Sequence, residues 1–246
     1  MRIIRTVKHL KEWQLTQQES GKTWALLPFL SGLPRESNAL LHGARTRCDT
    51  VLAVLDSDNN AHCLALTLLD EKDCDAVLLL GEELNYPCGG GLSLHYDASF
   101  PALVRTTYYQ HLGLQLLRLF SLLRPQIALF SLHDLPQYWL AKRINGECFL
   151  PTDITATLPE PEQTGNDNLL YTVLQRCVQA ILTGHDLQRI LQRGKSLLIN
   201  QGNTIRYFGC YNIHTLIHTE QTGPDTVLWA QLDNNTQSSY SVRLNR

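Results

Sequence analysis

The sequence predicts an α/β protein, with a parallel sheet flanked by helices first and a small α+β part built on an antiparallel sheet after it. Three observations carry this. Short apolar runs recur with helix-length stretches between them, as a parallel sheet covered on both faces requires. Leu112, Leu116, Leu119 and Leu123 recur every three to four residues, with Leu117 and Phe120 widening the stripe, which marks a core helix. From Ala156 to Asn168 the chain turns Pro-, Glu- and Asn-rich, and beyond that stretch come two helical patterns and three alternating ones.

Thr23 to Pro28, Thr50 to Leu55, Ala76 to Leu80 and Gln126 to Phe130 read as strands, each apolar on both faces as a central parallel strand must be. Helices are expected at about Thr6 to Glu19, Arg35 to Arg47, Cys63 to Lys72 and Pro101 to Leu123. The stretch from Ala156 to Asn168 favours a loop and places a domain boundary there, giving domains 1–157 and 158–246. In the second, Leu169 to Leu182 and Asp186 to Ile199 read as helices, broken at Gly184 and capped by Asp186. Ile205 to Tyr211, Thr226 to Leu232 and Ser239 to Leu244 alternate as strands of a small antiparallel sheet.

Composition excludes some functions. The chain has 246 residues, 43% of them hydrophobic and 18% charged, enough for a sizeable core. Its 21 Lys and Arg against 23 Asp and Glu give a net charge of -2. No basic surplus argues for a nucleic-acid partner. The longest apolar runs, near Leu78-Leu79-Leu80 and Ile127 to Phe130, fall far short of the ~20 residues of a membrane helix. Met1 to Trp13 mixes Arg2, Arg5, Lys8 and Lys11 with apolar residues and does not read as a secretory signal, so a cytoplasmic location is expected. The seven cysteines are scattered, with no Cys-x-x-Cys pair, and read as reduced and mostly buried.

Several motifs stand in order along the chain: Met1-Arg2-Ile3-Ile4-Arg5-Thr6, Ala44 with Asp49 and Val51, Leu64 to Leu69 leading to Cys74-Asp75-Ala76-Val77, and Glu82-Glu83-Leu84-Asn85-Tyr86-Pro87. Leu119-Phe120 with Arg124 to Phe130, Tyr207 with Thr215-Leu216, and Arg243-Leu244 follow. This series resembles the pantothenate synthetases (pantoate–beta-alanine ligases), of the nucleotidylyltransferase superfamily, nearly end to end. The resemblance implies a Rossmann-like domain followed by a small α+β domain, often a dimer through the larger one. It also implies ATP-dependent joining of pantoate to beta-alanine through a pantoyl adenylate.

The residues that would handle phosphate depart from that pattern. The family's Pro-Thr-Met-Gly turn reads Pro28-Phe29-Leu30-Ser31, and its two histidines read Pro34 and Ser37. Pro34 suits the first turn of a helix, and Glu36 its positive end. After the second strand, Asp56-Ser57-Asp58-Asn59-Asn60 reads as a polar turn, with the family's substrate-lining loop shortened, and lacks calcium-loop spacing. The family's Gly-Glu-Lys-Asp-x-Gln-Gln reads Ser131-Leu132-His133-Asp134-Leu135-Pro136-Gln137, so only Asp134 and Gln137 match and the lysine becomes His133. Asp134 also reads as a helix cap with Pro136 in the first turn. Arg105 survives before the long helix as an anion contact, and the family's Ser-Ser-Arg-Asn has no counterpart. Gly89-Gly90-Gly91 reads as a turn rather than a phosphate cradle. His214 and His218 show no carboxylate or cysteine partner, so no metal site is expected, and no nucleophile elbow supports Ser-His-Asp catalysis.

Two functions are open at this stage. One is a protein that has lost most phosphate-handling residues and binds a ligand or partner. The other is a divergent acid–amine ligase, still pantoate–beta-alanine ligase or acting on another substrate. In the second, His133, Asp134 and Arg105 are the candidate catalytic residues, and Pro28, Leu30 and Gln137 the candidate ligand contacts. ATP and magnesium are the cofactors if the ligase reading holds, and none is expected otherwise. A homodimer, a protein partner or a small molecule is expected as the binding partner, with no nucleic acid and no membrane.

Overall fold

The computed structural model describes residues 1–34, 36–56, 62–71, 74–86, 88–158, 167–233 and 239–244, with the side chains of 62–64 and 167–168 left aside. It divides into two compact units, Met1–Phe130 with Leu140–Pro159, and Ser131–Trp139 with Glu160–Arg246. Among the described residues no helix is long and apolar enough to cross a membrane.

The first unit holds a six-stranded sheet of β1 (Arg2–Ile4), β2 (Trp24–Phe29), β3 (Thr50–Asp56), β4 (Ala76–Leu80), β5 (Ile127–Ser131) and β6 (Asp153–Thr157). The order is β1-β4-β3-β2-β5-β6, and the registered pairs β1·β4, β3·β4, β2·β3 and β2·β5 are parallel. Helices α1 (Val7–Glu19), α2 (Ser37–Arg45), α3 (His62–Glu71), α4 (Glu82–Asn85), α5 (Thr107–Leu123) and α6 (Leu135–Glu147) connect the strands. All of β2 and β4 and most of β3 are buried, which is why these runs are apolar throughout and do not alternate.

Side chains satisfy the strand N–H groups at the amino ends of the sheet, where a parallel ladder leaves donors unpaired. Thr23 donates through its amide (2.8 Å) and hydroxyl (2.7 Å) to Asp49 Oδ2. Val51 N donates to Asp75 Oδ2 at 2.8 Å, and Trp24 N to Gln126 Oε1 at 2.9 Å. The Thr23 amide and hydroxyl hold the Asp49 carboxyl below the usual carboxylate range.

The expected helix from Pro101 to Leu123 is two elements: a 3-10 turn at Ala102–Val104, then α5 with Thr106 as its cap. Thr106 is extended and its hydroxyl accepts from Tyr109 N, so a cap inside the apolar pattern divides it. The stretch expected as loop from Ala156 is β6 as far as Thr157, and the helix after it begins at Asp167. The α5 helix carries Gly113 where Tyr96 crosses it, donating from its hydroxyl to Tyr109 O at 3.1 Å. A Cβ built at Gly113 would fall on that hydroxyl. Tyr96 also stacks on Phe100 with centroids 4.6 Å apart.

The second unit packs α7 (Asp167–Leu182) and α8 (Leu187–Asn200) against an antiparallel sheet of β7 (Ile205–Asn212), β8 (Thr226–Leu232) and β9 (Ser239–Arg243), in the order β7-β8-β9. Its core includes Leu170, Leu174, Val178, Leu198, Cys210 and Leu228. Asp186 caps α8, its Oδ1 accepting from Arg189 N at 2.8 Å. Gly194 lets α8 lie close, since a Cβ there would stand 2.6 Å from Cys177 Sγ and 2.9 Å from the Phe208 ring. Cys48, Cys74, Cys177 and Cys210 are buried, and Cys88 and Cys148 exposed, all six as free thiols. Burial pushes the Cys177 and Cys210 thiols up to about 11 and about 12.

Gly113→Ala should cost about 1–3 kcal/mol by overpacking the Tyr96 hydroxyl. In urea denaturation the same substitution made in a Tyr96→Phe background should cost less, with a coupling above about 0.5 kcal/mol. Equal costs in both backgrounds would mean that the hydroxyl is not what the notch accommodates.

Burial also gives a pH expectation for Tyr96, whose phenol is pushed up to about 12 against about 10 in an unfolded chain. A raised folded value means that the contribution is complete below about pH 10 and is lost as pH rises through about 12. Thermal melts across that window should therefore fall more steeply for the wild type than for Tyr96→Phe.

Candidate functional site

The strand order β4-β3-β2-β5-β6 reverses direction about β2, so the carboxyl end of β2 lies at the topological switch point, the place where open α/β sheets bind ligands. The β2 ladder is asymmetric there. Its register with β3 runs from Trp24 to Phe29, whereas that with β5 covers only Ala25 and Leu26. Pro28 carries no N–H and lies opposite Val54 of β3, past the point where the β5 register ends.

The turn after β2 is lined by apolar side chains. Pro28 is buried, and Phe29 and Leu30 are 5% and 7% exposed. Gly32 adopts φ 106°, a conformation that favours glycine, and its N–H donates to Phe29 O at 3.3 Å. Ser31 Oγ and Tyr108 OH share a hydrogen bond of 2.7 Å, which ties the turn to the first turn of α5. Leu33 packs against the core of the sheet.

The helix that follows begins at Ser37, two residues later than expected. Pro34 therefore precedes the first helical turn, and its carbonyl accepts from Ser37 N at 3.1 Å. Glu36 is the capping residue by position but makes no side-chain capping bond. Ser37, standing where the second family histidine would be, is 1% exposed. Arg35 lies outside the described residues, as do Asp58 and the rest of the polar turn after Asp56.

Arg105 is exposed at the end of the 3-10 turn, two residues before α5. It contributes to holding the Asp97 carboxyl below the usual range, after the hydroxyl and amide of Ser99, which bond to it directly. Gly89, Gly90 and Gly91 all have positive φ in an open turn.

His133, Asp134 and Gln137 stand together on the turn that leaves β5 and enters α6, a segment belonging to the second unit. Ser131 Oγ accepts from His133 N at 3.1 Å, and Asp134 Oδ1 from Gln137 N at 3.4 Å. Asp134 thus caps α6, whose first turn contains Pro136. His133 is 2% exposed and Gln137 5%. The His133 ring lies 5.0 Å from Tyr240, its Nδ1 accepts from Ser241 N at 3.1 Å, and its carbonyl accepts from Trp229 Nε1 at 3.0 Å.

The candidates therefore fall into three groups: Pro28 and Leu30 at the end of β2, Arg105 before α5, and His133, Asp134 and Gln137 on the turn into α6. Tyr108, Trp229 and Ser241 were not among them, although each bonds a motif residue. Their partners lie 77 to 108 residues away, a separation for which no local pattern exists. His214 does have a carboxylate neighbour, Asp225, with Nε2 3.3 Å from Oδ1. Among the described residues no group of three or more His, Cys, Asp or Glu could hold a metal ion.

No protein-family model matches the chain. Among curated proteins, a pantothenate synthetase of Shouchella clausii (strain KSM-K16) is 25% identical over 178 residues, or 66% of this chain, and the match spans 59% of that protein. A pantothenate synthetase of Acidiphilium cryptum (strain JF-5) is 24% identical over 261 residues, covering 92% of each chain. Pantothenate synthetase from Thermus thermophilus has the same fold, with a TM-score of 0.81 over 100% of both chains at 18% identity. Pantoate-beta-alanine ligase from Francisella tularensis, complexed with beta-gamma ATP and beta-alanine, gives 0.68 at 14% identity over 99% of this chain and 98% of that one. The strand order and the second antiparallel sheet agree with the pantothenate synthetase fold, and the sequence likeness to curated pantothenate synthetases, at 22% to 24% identity, runs nearly the full length of the chain.

Proposed function

We propose that this chain keeps the family scaffold without efficient ATP-dependent ligation and acts as a binding protein for a partner or a small ligand. The observation that carries this is the turn after β2, where buried Phe29 and Leu30 and the Ser31–Tyr108 hydrogen bond stand in the place of a phosphate-binding loop. Adenylation needs positive charge and hydrogen-bond donors aimed at phosphate oxygens as charge moves during transfer. Here the Ser31 hydroxyl is engaged with Tyr108, and Gly32 is the one glycine between Pro28 and Pro34.

The third motif supports the same reading. His133 is buried, and its Nδ1 accepts a hydrogen bond from a backbone amide, while Asp134 caps α6. The residues present at these positions do not fit a triphosphate, so no reaction step is derived through ATP. Losing one transition-state donor typically costs about 10²–10³ in rate, and several are replaced together here.

Calorimetric titration with ATP and magnesium to millimolar concentration should give no binding heat, with an ordinary pantothenate synthetase as the positive control. Incubation with ATP, pantoate and beta-alanine should yield no pantothenate above background, and the chain should not rescue a pantothenate auxotroph. Turnover near that of the control would overturn the proposal in favour of a ligase.

A further inference from the structure

Three hydrogen bonds fasten the turn at 131–134 to the small sheet of the second unit. Ser241 Oγ of β9 donates to Leu132 O at 2.7 Å, Trp229 Nε1 of β8 donates to His133 O at 3.0 Å, and Ser241 N donates to His133 Nδ1 at 3.1 Å. The first two end on carbonyls and do not depend on pH. The third ends on an imidazole nitrogen that can accept only while it carries no proton, so the bonded ring is neutral with its hydrogen on Nε2.

Protonation would place an N–H on Nδ1 facing the Ser241 N–H, donor against donor, on a ring 2% exposed. Burying a charge against a donor of the same polarity is costly. Tyr240 of β9 faces the ring at 5.0 Å, and Tyr171 of α7 packs on Tyr240 at 5.8 Å. Asp134 follows on the same turn and gives its Oδ1 to Gln137 N, and β8 presents the uncharged Trp229.

We propose that His133 is a proton-operated latch, which adds a third bond between the small sheet and the turn at 131–134 when neutral and loses that bond, loosening β9 at Ser241, when a proton binds Nδ1. The inference does not depend on whether ATP still binds, because it rests only on the hydrogen bonds among Leu132, His133, Trp229 and Ser241. The sign follows from linkage. A site that must be neutral when folded contributes fully above the ordinary histidine value of about 6.5 and loses that contribution as pH falls below it.

The test uses the whole ¹⁵N-labelled chain. The protection factor of the Ser241 amide should fall by up to about tenfold per pH unit below about pH 6.5, and the Trp229 indole N–H should shift over the same range. His133→Asn puts an amide oxygen close to the place of Nδ1 and does not titrate, so its protection should stay within about twofold from about pH 7.5 to about pH 5. Protection that is independent of pH in the wild type, or that falls equally in His133→Asn, would overturn the latch. If the variant does not fold, the wild-type imidazole decides the matter through its ¹⁵N shifts. Release of Ser241 coincident with protonation supports the latch, and a doubly protonated ring beside a still-protected Ser241 overturns it.

Discussion

Two-sided burial of β2 is the constraint on which the first unit rests. Every residue from Trp24 to Phe29 is buried, so neither face can carry a polar side chain and the strand must have neighbours on both edges. Its donors at the amino end are met by side chains from other segments, Asp49 and Gln126, while Asp75 does the same for β3. Asp49 and Asp75 are among the residues that resemble the family. The likeness that survives therefore includes the amino-terminal edge of the sheet, where residues satisfy backbone and do no chemistry.

The carboxyl-terminal edge obeys a different requirement. A phosphate-binding turn presents backbone and side-chain donors that stay unsatisfied until a ligand arrives, a form of stored instability that functional sites commonly carry. The turn here is satisfied from within. Leu30 is buried, Gly32 N–H is taken by Phe29 O, and Ser31 is joined to Tyr108.

Legibility followed the range of the interactions. Strands β2, β3, β4 and β5 could be read because two-sided burial leaves continuous apolar runs, and α8 because Asp186 caps it with a local bond. The break before α5 is hidden because only Arg105, Thr106 and Thr107 separate Ala102 to Val104 from Tyr108-Tyr109, and β6 because Pro151 and the polar run after Thr157 mask five residues. At the site, the replaced motif residues were visible but their new partners were not. Ser31 with Tyr108, His133 with Ser241, and His214 with Asp225 are brought together by tertiary structure or by a turn whose geometry the sequence does not specify.

His133 makes a structural bond at a position where the resemblance implies a lysine. A lysine, as the family motif implies for this position, offers three donors and no acceptor, so it could not receive the Ser241 N–H. Left buried at that point it would leave the amide unpaired as well as an ammonium without a partner, each a substantial cost. Histidine can accept there, but only in its neutral form. The bond that anchors β9 and a lysine directed at phosphate are mutually exclusive uses of one position. In this chain the position serves the second unit.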